Sequence, residues 1–331
     1  MPASRIGLLL TGGTIDSIGV DRLDLAWYFE NDRRLAAGQL AARVPELDAI
    51  AQVEEIPFKR LSSGGITPAD WLNLARTIQE RLDGGLDGAV ITHGTNTLEE
   101  TAYFLNLTLN TSKPVVVTGA MRPSNALSGD GDLNLLNAFR VAASASAAGK
   151  GVLVLLNDTI HASRDVTKTN TLRTHTFQSR DTGPLGYADS DGRLIWYMTP
   201  ARRHTTASAF HIASIREVPR VDVVVSYGGA DGALIDAAVA AGAKGIVSAG
   251  TGAGRPTPLE DDALDRAIAQ GVVVVQASRT GSGRVPRSPN MAARRLVTAD
   301  DLLPWKARIL LMLALTQRSD VDAIQQVFEE Y

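Results

Sequence analysis

No cysteine occurs among the 331 residues, which excludes disulfides, a thiolate nucleophile and Cys-ligated zinc. Histidine is scarce as well. His93, His161, His175, His204 and His211 are scattered with no HExxH-type pairing, so no metal site is expected. A surplus of positive charge is also missing. Lys+Arg is 33 against Asp+Glu 36, a net charge of −3, whereas bulk nucleic-acid binding needs a concentrated positive surface. No stretch approaches the ~20 apolar residues of a membrane span. The apolar run Ile6–Leu10 is broken by Thr11-Gly12-Gly13 and is too short for a signal-peptide core. These absences leave a cytoplasmic protein with no membrane and no nucleic-acid partner as the default expectation.

What is present is a soluble, globular composition, 44% hydrophobic and 21% charged, at a length that suits two domains. Short β-branched runs recur at 6–10, 88–92, 114–118, 151–156, 221–226, 245–248 and 271–276, each ending in glycine or a small polar residue. Continuous apolar runs of this length suit strands buried on both faces. Helical patterns lie between them. One opens at Pro68-Ala69-Asp70, and others cover 98–109, 133–147, 234–241, 259–269 and 304–316. Alternating strand and helix implies α/β architecture with parallel sheets. Between about 183 and 218 the pattern turns irregular, either a connector or a long excursion within one domain. The expected organisation is a larger N-terminal α/β domain at 1–190, a connector at 191–218 and a smaller C-terminal parallel-sheet domain at 219–331.

Ligands of open α/β sheets bind outside the carboxyl ends of the strands. Three such ends carry chemistry. The first strand runs into Thr11-Gly12-Gly13-Thr14-Ile15, where two glycines allow a sharp turn and close backbone approach, and Thr14 presents a hydroxyl. A helix-capping threonine would look the same. The second is Thr92-His93-Gly94-Thr95-Asn96-Thr97, where a helix N-terminus favours an anion, although Thr97 with Glu100 also has capping-box spacing. The third is Asp165-Val166-Thr167-Lys168-Thr169-Asn170. A lysine in such a position is usually solvated, but one drawn into a cleft loses its proton more easily and can act as a base.

Together these segments resemble the bacterial L-asparaginase/glutaminase family. The resemblance rests on Thr-Gly-Gly-Thr-Ile at 11–15, His-Gly-Thr-x-Thr at 93–97, Gly-Ala-Met-Arg-Pro at 119–123 and Asp-Val-Thr-Lys-Thr-Asn at 165–170. It extends through Gly183-Pro184-Leu185-Gly186-Tyr187, Thr199-Pro200-Ala201-Arg202 and Ala314-Leu315-Thr316-Gln317, and so covers nearly the whole chain. It implies a threonine amidohydrolase that needs no cofactor and acts on a small amide such as L-asparagine. Thr14 would attack the amide to form an acyl-enzyme. A loop tyrosine, for which Tyr28 beside Trp27 is the candidate, would assist. Thr95 and Lys168 would activate the nucleophile or the water. Gly13, Ser63, Gly94 and Asn96 are the expected substrate-binding positions. The resemblance also implies a homo-oligomer, a dimer of dimers, whose sites are completed by a partner's C-terminal domain.

Four positions depart from the family pattern. Asn96 stands where an aspartate is usual. Gly64 follows Ser63 where a polar side chain is usual. Ala253 replaces an asparagine, and 281–286 shows no counterpart of the family's glutamate. In the family these groups surround the substrate's α-ammonium. Either amino-group recognition is altered, or Asp16, Asp21 or Asp24 supplies a replacement carboxylate. An ω-amide lacking the α-ammonium is therefore an alternative substrate, and a non-catalytic small-molecule binder is a second alternative. A serine hydrolase is disfavoured because no G-x-S-x-G elbow is present. A dinucleotide enzyme is disfavoured because 250–254 lacks G-x-G-x-x-G spacing.

Overall fold

The apolar runs become the central strands of two sheets in the computed structural model, which describes residues 4–331. One compact unit extends up to Ile212 and the other is Ala213–Tyr331. In the first, the strands are β1 (Ser4–Leu10), β2 (Ala51–Ile56), β3 (Gly88–Thr92), β4 (Val115–Thr118), β5 (Val152–Leu156), β6 (Thr159–Ala162), β7 (Thr167–Lys168), β8 (Phe177–Gln178), β9 (Gly186–Ala188) and β10 (Leu194–Trp196). Eight of them form one sheet in the order β10-β9-β6-β5-β4-β3-β1-β2, and β7 pairs with β8 apart from it. Strands β3, β4 and β5 are buried at every position, as their unbroken apolar sequences require. β2 is a sheet edge whose apolar residues are interrupted by Gln52, Glu54 and Glu55, which is why no apolar run marks it.

This sheet is mixed, not wholly parallel as the strand/helix alternation suggested. β2, β1, β3, β4 and β5 run parallel, but β6 turns back antiparallel to β5, and β9 and β10 continue antiparallel. The cause is the two-residue turn Asn157-Asp158. Both residues have positive φ, 51° and 61°, the primed turn that matches strand twist. Strand β10 falls within 191–218, the stretch expected as a connector, and belongs to the sheet of the first unit.

Helices α1 (Gln39–Ala42), α2 (Pro68–Asp83), α3 (Leu98–Thr108) and α4 (Gly131–Ala142) accompany this sheet. Thr67 and Asp70 form a capping box around Pro68 to start α2, whose Trp71, Leu74, Ile78 and Leu82 are buried. Trp71 stacks on Phe104 of α3 at 5.5 Å. α4 packs Leu135, Ala138, Phe139 and Ala142 against alternate residues of the strands, including Leu8, Val90, Val116 and Leu153. It stops short of the expected 147. Ser144 leaves the helical region and accepts from the Ser146 N–H, so a separate turn forms at Ala145–Ala147.

The second unit is a parallel sheet of β11 (Val221–Val225), β12 (Gly245–Gly250), β13 (Val273–Ser278) and β14 (Val297–Thr298), in that order. Its helices are α5 (Ala233–Ala240), α6 (Pro258–Ala269), α7 (Pro289–Ala293), α8 (Pro304–Ala314) and α9 (Val321–Glu330). Ile235, Ile246, Leu264, Val274 and Leu296 share its core. α9 lies beyond the helices expected. Asp320 caps it by accepting from the Ala323 N–H, and Val321, Ile324, Val327 and Phe328 form its buried face. Among the described residues no helix is long and apolar enough to cross a membrane.

Candidate active site

The carboxyl ends of β1 and β3 meet main chain to main chain. Thr11 at the tip of β1 donates its N–H and hydroxyl to the Thr92 carbonyl of β3, at 3.1 and 2.9 Å. Gly12 and Gly13 follow at φ 97° and 112°, where a side chain is strained. A Cβ on Gly13 would stand 2.4 Å from Gly94 Cα, and one on Gly94 would stand 2.5 Å from Ser63 Cβ. Three turns, 11–14, 62–64 and 93–97, are thereby nested where no bulk could be inserted.

Thr14 opens a single helical turn, Thr14–Asp16, at the end of that path. Its hydroxyl is buried and makes no cap. It lies 2.8 Å from the Tyr28 hydroxyl, on the loop that returns to β2. Asn125 clamps this loop, accepting from the Gly19 N–H at 2.7 Å and donating to the Gly19 carbonyl at 3.0 Å. Trp27, the neighbour that competed with Tyr28 in sequence, is exposed. Burial raises the Tyr28 phenol above its usual range; the Thr14 hydrogen bond opposes this, and the carboxylates of Asp130 and Asp24 add to it.

Thr97 does not make the capping box that its spacing with Glu100 suggested. Its hydroxyl donates instead to the Ser63 carbonyl at 2.6 Å and ties the 62–64 turn to the start of α3. Glu99 is not a solvated first-turn acid either. It is buried and accepts from the Thr167 hydroxyl and the Lys168 N–H, both at 3.1 Å, which seats β7 against α3. With β7 so placed, the Lys168 ammonium donates to Thr95 Oγ1 at 2.9 Å and to Asn96 Oδ1 at 3.0 Å. Burial pulls the Lys168 pKa down, and the Glu99 charge partly restores it.

His93 is wholly buried and supports the Gly94 turn. Its Nδ1–H donates to the Gly94 carbonyl at 2.8 Å, which leaves Nε2 to accept from Thr101 at 2.9 Å, and Thr101 accepts from the Trp71 indole at 2.8 Å. Burial drops the His93 pKa to about 4, so the ring is neutral at neutral pH.

All eight residues expected at the site, Gly13, Thr14, Tyr28, Ser63, Gly94, Thr95, Asn96 and Lys168, line one cavity of about 360 Å3. Gly64 also lines it, with open space where a side chain would project. None of the three aspartates weighed as replacement carboxylates does. Asp21 and Asp24 accept from backbone N–H groups of their own loop, and Asp16 is buried against Arg34. In the second unit, Ala253 occupies the turn that the Thr251–Arg255 bridge closes. Among the described residues no group of His, Cys, Asp or Glu could hold a metal ion. Arg34, Glu99 and Asn125 are supporting residues that sequence reasoning missed, and His93 stood in a motif without a role assigned to it. Glu99 reads there as an ordinary first-turn acid, and Arg34 and Asn125 lie on loops without a motif.

Comparison with known proteins gives a consistent picture. The family model described as Asparaginase, N-terminal matches residues 5–202, and Glutaminase/Asparaginase C-terminal domain matches residues 220–328. L-asparaginase 2 of Bacillus subtilis is 43% identical over 328 residues, covering 99% of this chain and 86% of that protein. Glutaminase-asparaginase of Pseudomonas fluorescens is 42% identical over 332 residues, covering 99% and 91%. A crystal structure described as a probable cytoplasmic L-asparaginase from Campylobacter jejuni superposes with a TM-score of 0.94 at 39% identity, covering 99% of this chain and all of that one.

Proposed function

Because this chain belongs to the asparaginase family, an asparaginase-type amidohydrolase of linear amides, we propose that it releases ammonia from a small carboxylate-bearing amide at the Thr14 cavity. One observation carries the assignment of roles. A pair of hydroxyls, Thr14 with Tyr28, and a hydroxyl–amine pair, Thr95 with Lys168, open into the same cavity at hydrogen-bond distance. A non-catalytic binder has no need of both.

A threonine hydroxyl is a weak nucleophile until a neighbour takes its proton. In our reading Thr14 Oγ attacks the amide carbonyl carbon as its proton passes to Tyr28 or to the Thr95–Lys168 pair. N–H groups of the Gly13–Thr14 and Gly94–Thr95 turns supply donors for the tetrahedral oxyanion. The C–N bond breaks, the nitrogen takes a proton and leaves as ammonia, and Thr14 is left acylated. Water then attacks the ester carbonyl, its proton drawn by Thr95 and Lys168; the bond from the acyl carbon to Thr14 Oγ breaks, Thr14 Oγ takes back a proton, and the acid departs. Lys168 suits this task because burial favours its neutral amine. Ser63 and Asn96 hold the remainder of the substrate.

The test is ammonia release from a panel of ω-amides with wild type and Thr14→Ala. Thr14→Ala is expected to abolish turnover and leave folding intact, since its hydroxyl bonds only to Tyr28 and supports no core contact. Near-normal activity in a clean preparation would pass the nucleophile's role to Thr95. We further propose a homo-oligomer, a dimer of dimers, in keeping with the family resemblance, and a cytoplasmic location, in keeping with the description of the Campylobacter relative.

A further inference from the structure

The charge of the cavity is one-sided. Of this chain's side chains that line it, Arg34 is a cation, Lys168 is an amine that takes a positive charge when protonated, and none is a carboxylate. Asn96 does not make up the deficit. Its carbonyl oxygen accepts from Lys168 at 3.0 Å, and an amide carries no charge that could balance an ammonium. Gly64 contributes no side chain and has nothing within 4 Å of where one would start. The carboxylates around the cavity are engaged elsewhere: Asp24 and Asp130, whose charges reach Tyr28, accept from backbone N–H groups, and Asp16 and Glu99 sit behind the wall. Asp16 is 2% exposed and faces Arg34 at 3.4 Å and Arg60 at 3.9 Å. Glu99 accepts from Thr167 and from the Lys168 backbone. Arg34 spends Nη1 on Asp16 and Nε on the exposed Asp32, which leaves Nη2 for a ligand.

An ammonium group brought into this cavity meets Arg34, and Lys168 whenever that amine is protonated, with no carboxylate of this chain lining the cavity to balance it, whereas a carboxylate meets a cation. The cavity is also roomy enough for a chain of several carbons between two polar ends. We infer that this cavity selects amides that carry net negative charge and no ammonium, the monoamides of dicarboxylic acids, and that Arg34 is the residue that reads the extra negative charge. The inference rests on the amidohydrolase reading of the same cavity, and its test separates the two.

Succinate and L-aspartate differ by one ammonium and do not react, so calorimetry on the full chain at neutral pH measures charge selection apart from catalysis. Wild type is expected to bind succinate at least ~10-fold more tightly than L-aspartate, the scale of a like-charge contact. Arg34→Gln should narrow that ratio by at least ~3-fold, and Arg34→Lys, which keeps a point charge, should preserve it. A purely structural role for Arg34 would weaken both ligands alike. Should Arg34→Gln fail to fold, Asn96→Asp serves in its place: a carboxylate there should shift the ratio toward L-aspartate. Equal or tighter binding of L-aspartate by wild type, no measurable succinate binding, or a ratio unmoved by Arg34→Gln overturns the inference. Ammonia release from succinamate and L-asparagine is followed in parallel. Hydrolysis without charge selection sinks only the selectivity, and selection without hydrolysis of any amide sinks only the amidohydrolase reading.

Discussion

Burial holds the Lys168 ammonium below the ordinary lysine range while the Glu99 charge pulls it back up, so the neutral amine becomes available at lower pH than for a solvated lysine. If that amine is the base, turnover rises with pH along an ascending limb. Lys168→Met should remove the limb and cost at least ~10²-fold in kcat, the lower end of general-base contributions. A loss of only a few-fold with the limb intact would make Lys168 a positioning residue. His93 titrates in the opposite regime. The unfolded chain protonates this ring near pH 6.5, but burial postpones protonation in the folded chain to about 4. The unfolded state therefore binds the proton first as pH falls. The stability present above pH 6.5 is lost on the way down to about 4, by ~3 kcal/mol for this group. Denaturant titrations at several pH values should show that slope in wild type and lack it in His93→Gln.

At the scale of elements, the site is a junction of strand tips and helix starts, and sequence reasoning reached the two unevenly. Strands β3, β4 and β5 were legible because burial on both faces leaves no polar residue to interrupt the run. The antiparallel extension was not, because it depends on Asn157-Asp158 adopting positive φ, a turn that reads as any polar pair. Gly13, Thr14, Thr95 and Lys168 stood out through motif resemblance. Glu99 and Thr97 did not, since a buried acid and a cross-turn hydroxyl look like helix-start residues until β7 and the 62–64 turn are in place. Thr97 now makes a distinct prediction. Thr97→Val removes the bond to the Ser63 carbonyl and frees that turn from α3. KM should rise several-fold with a smaller change in kcat, because Thr95 and Lys168 are held by other contacts. Steady-state kinetics on the preferred amide settle the point, and an equal fall in kcat would show that the turn also orders the reacting groups.

Taken as a whole molecule, the chain keeps the groups proposed to react and those proposed to select on different supports. The proposed selecting positions, Arg34, Gly64 and Asn96, lie outside the strands and α-helices, and Gly64 has open space where a side chain would start. The two hydroxyl turns instead abut at Gly13 and Gly94, where a Cβ would come within 2.4 Å of the opposing main chain. The Gly13–Gly94 approach is made by main chain, so it does not depend on how a side chain at either position packs. A side chain at Gly13 or Gly94 would have to part the two turns, whereas one at Gly64 would meet nothing, so the same cavity tolerates added bulk on one wall and refuses it on the other.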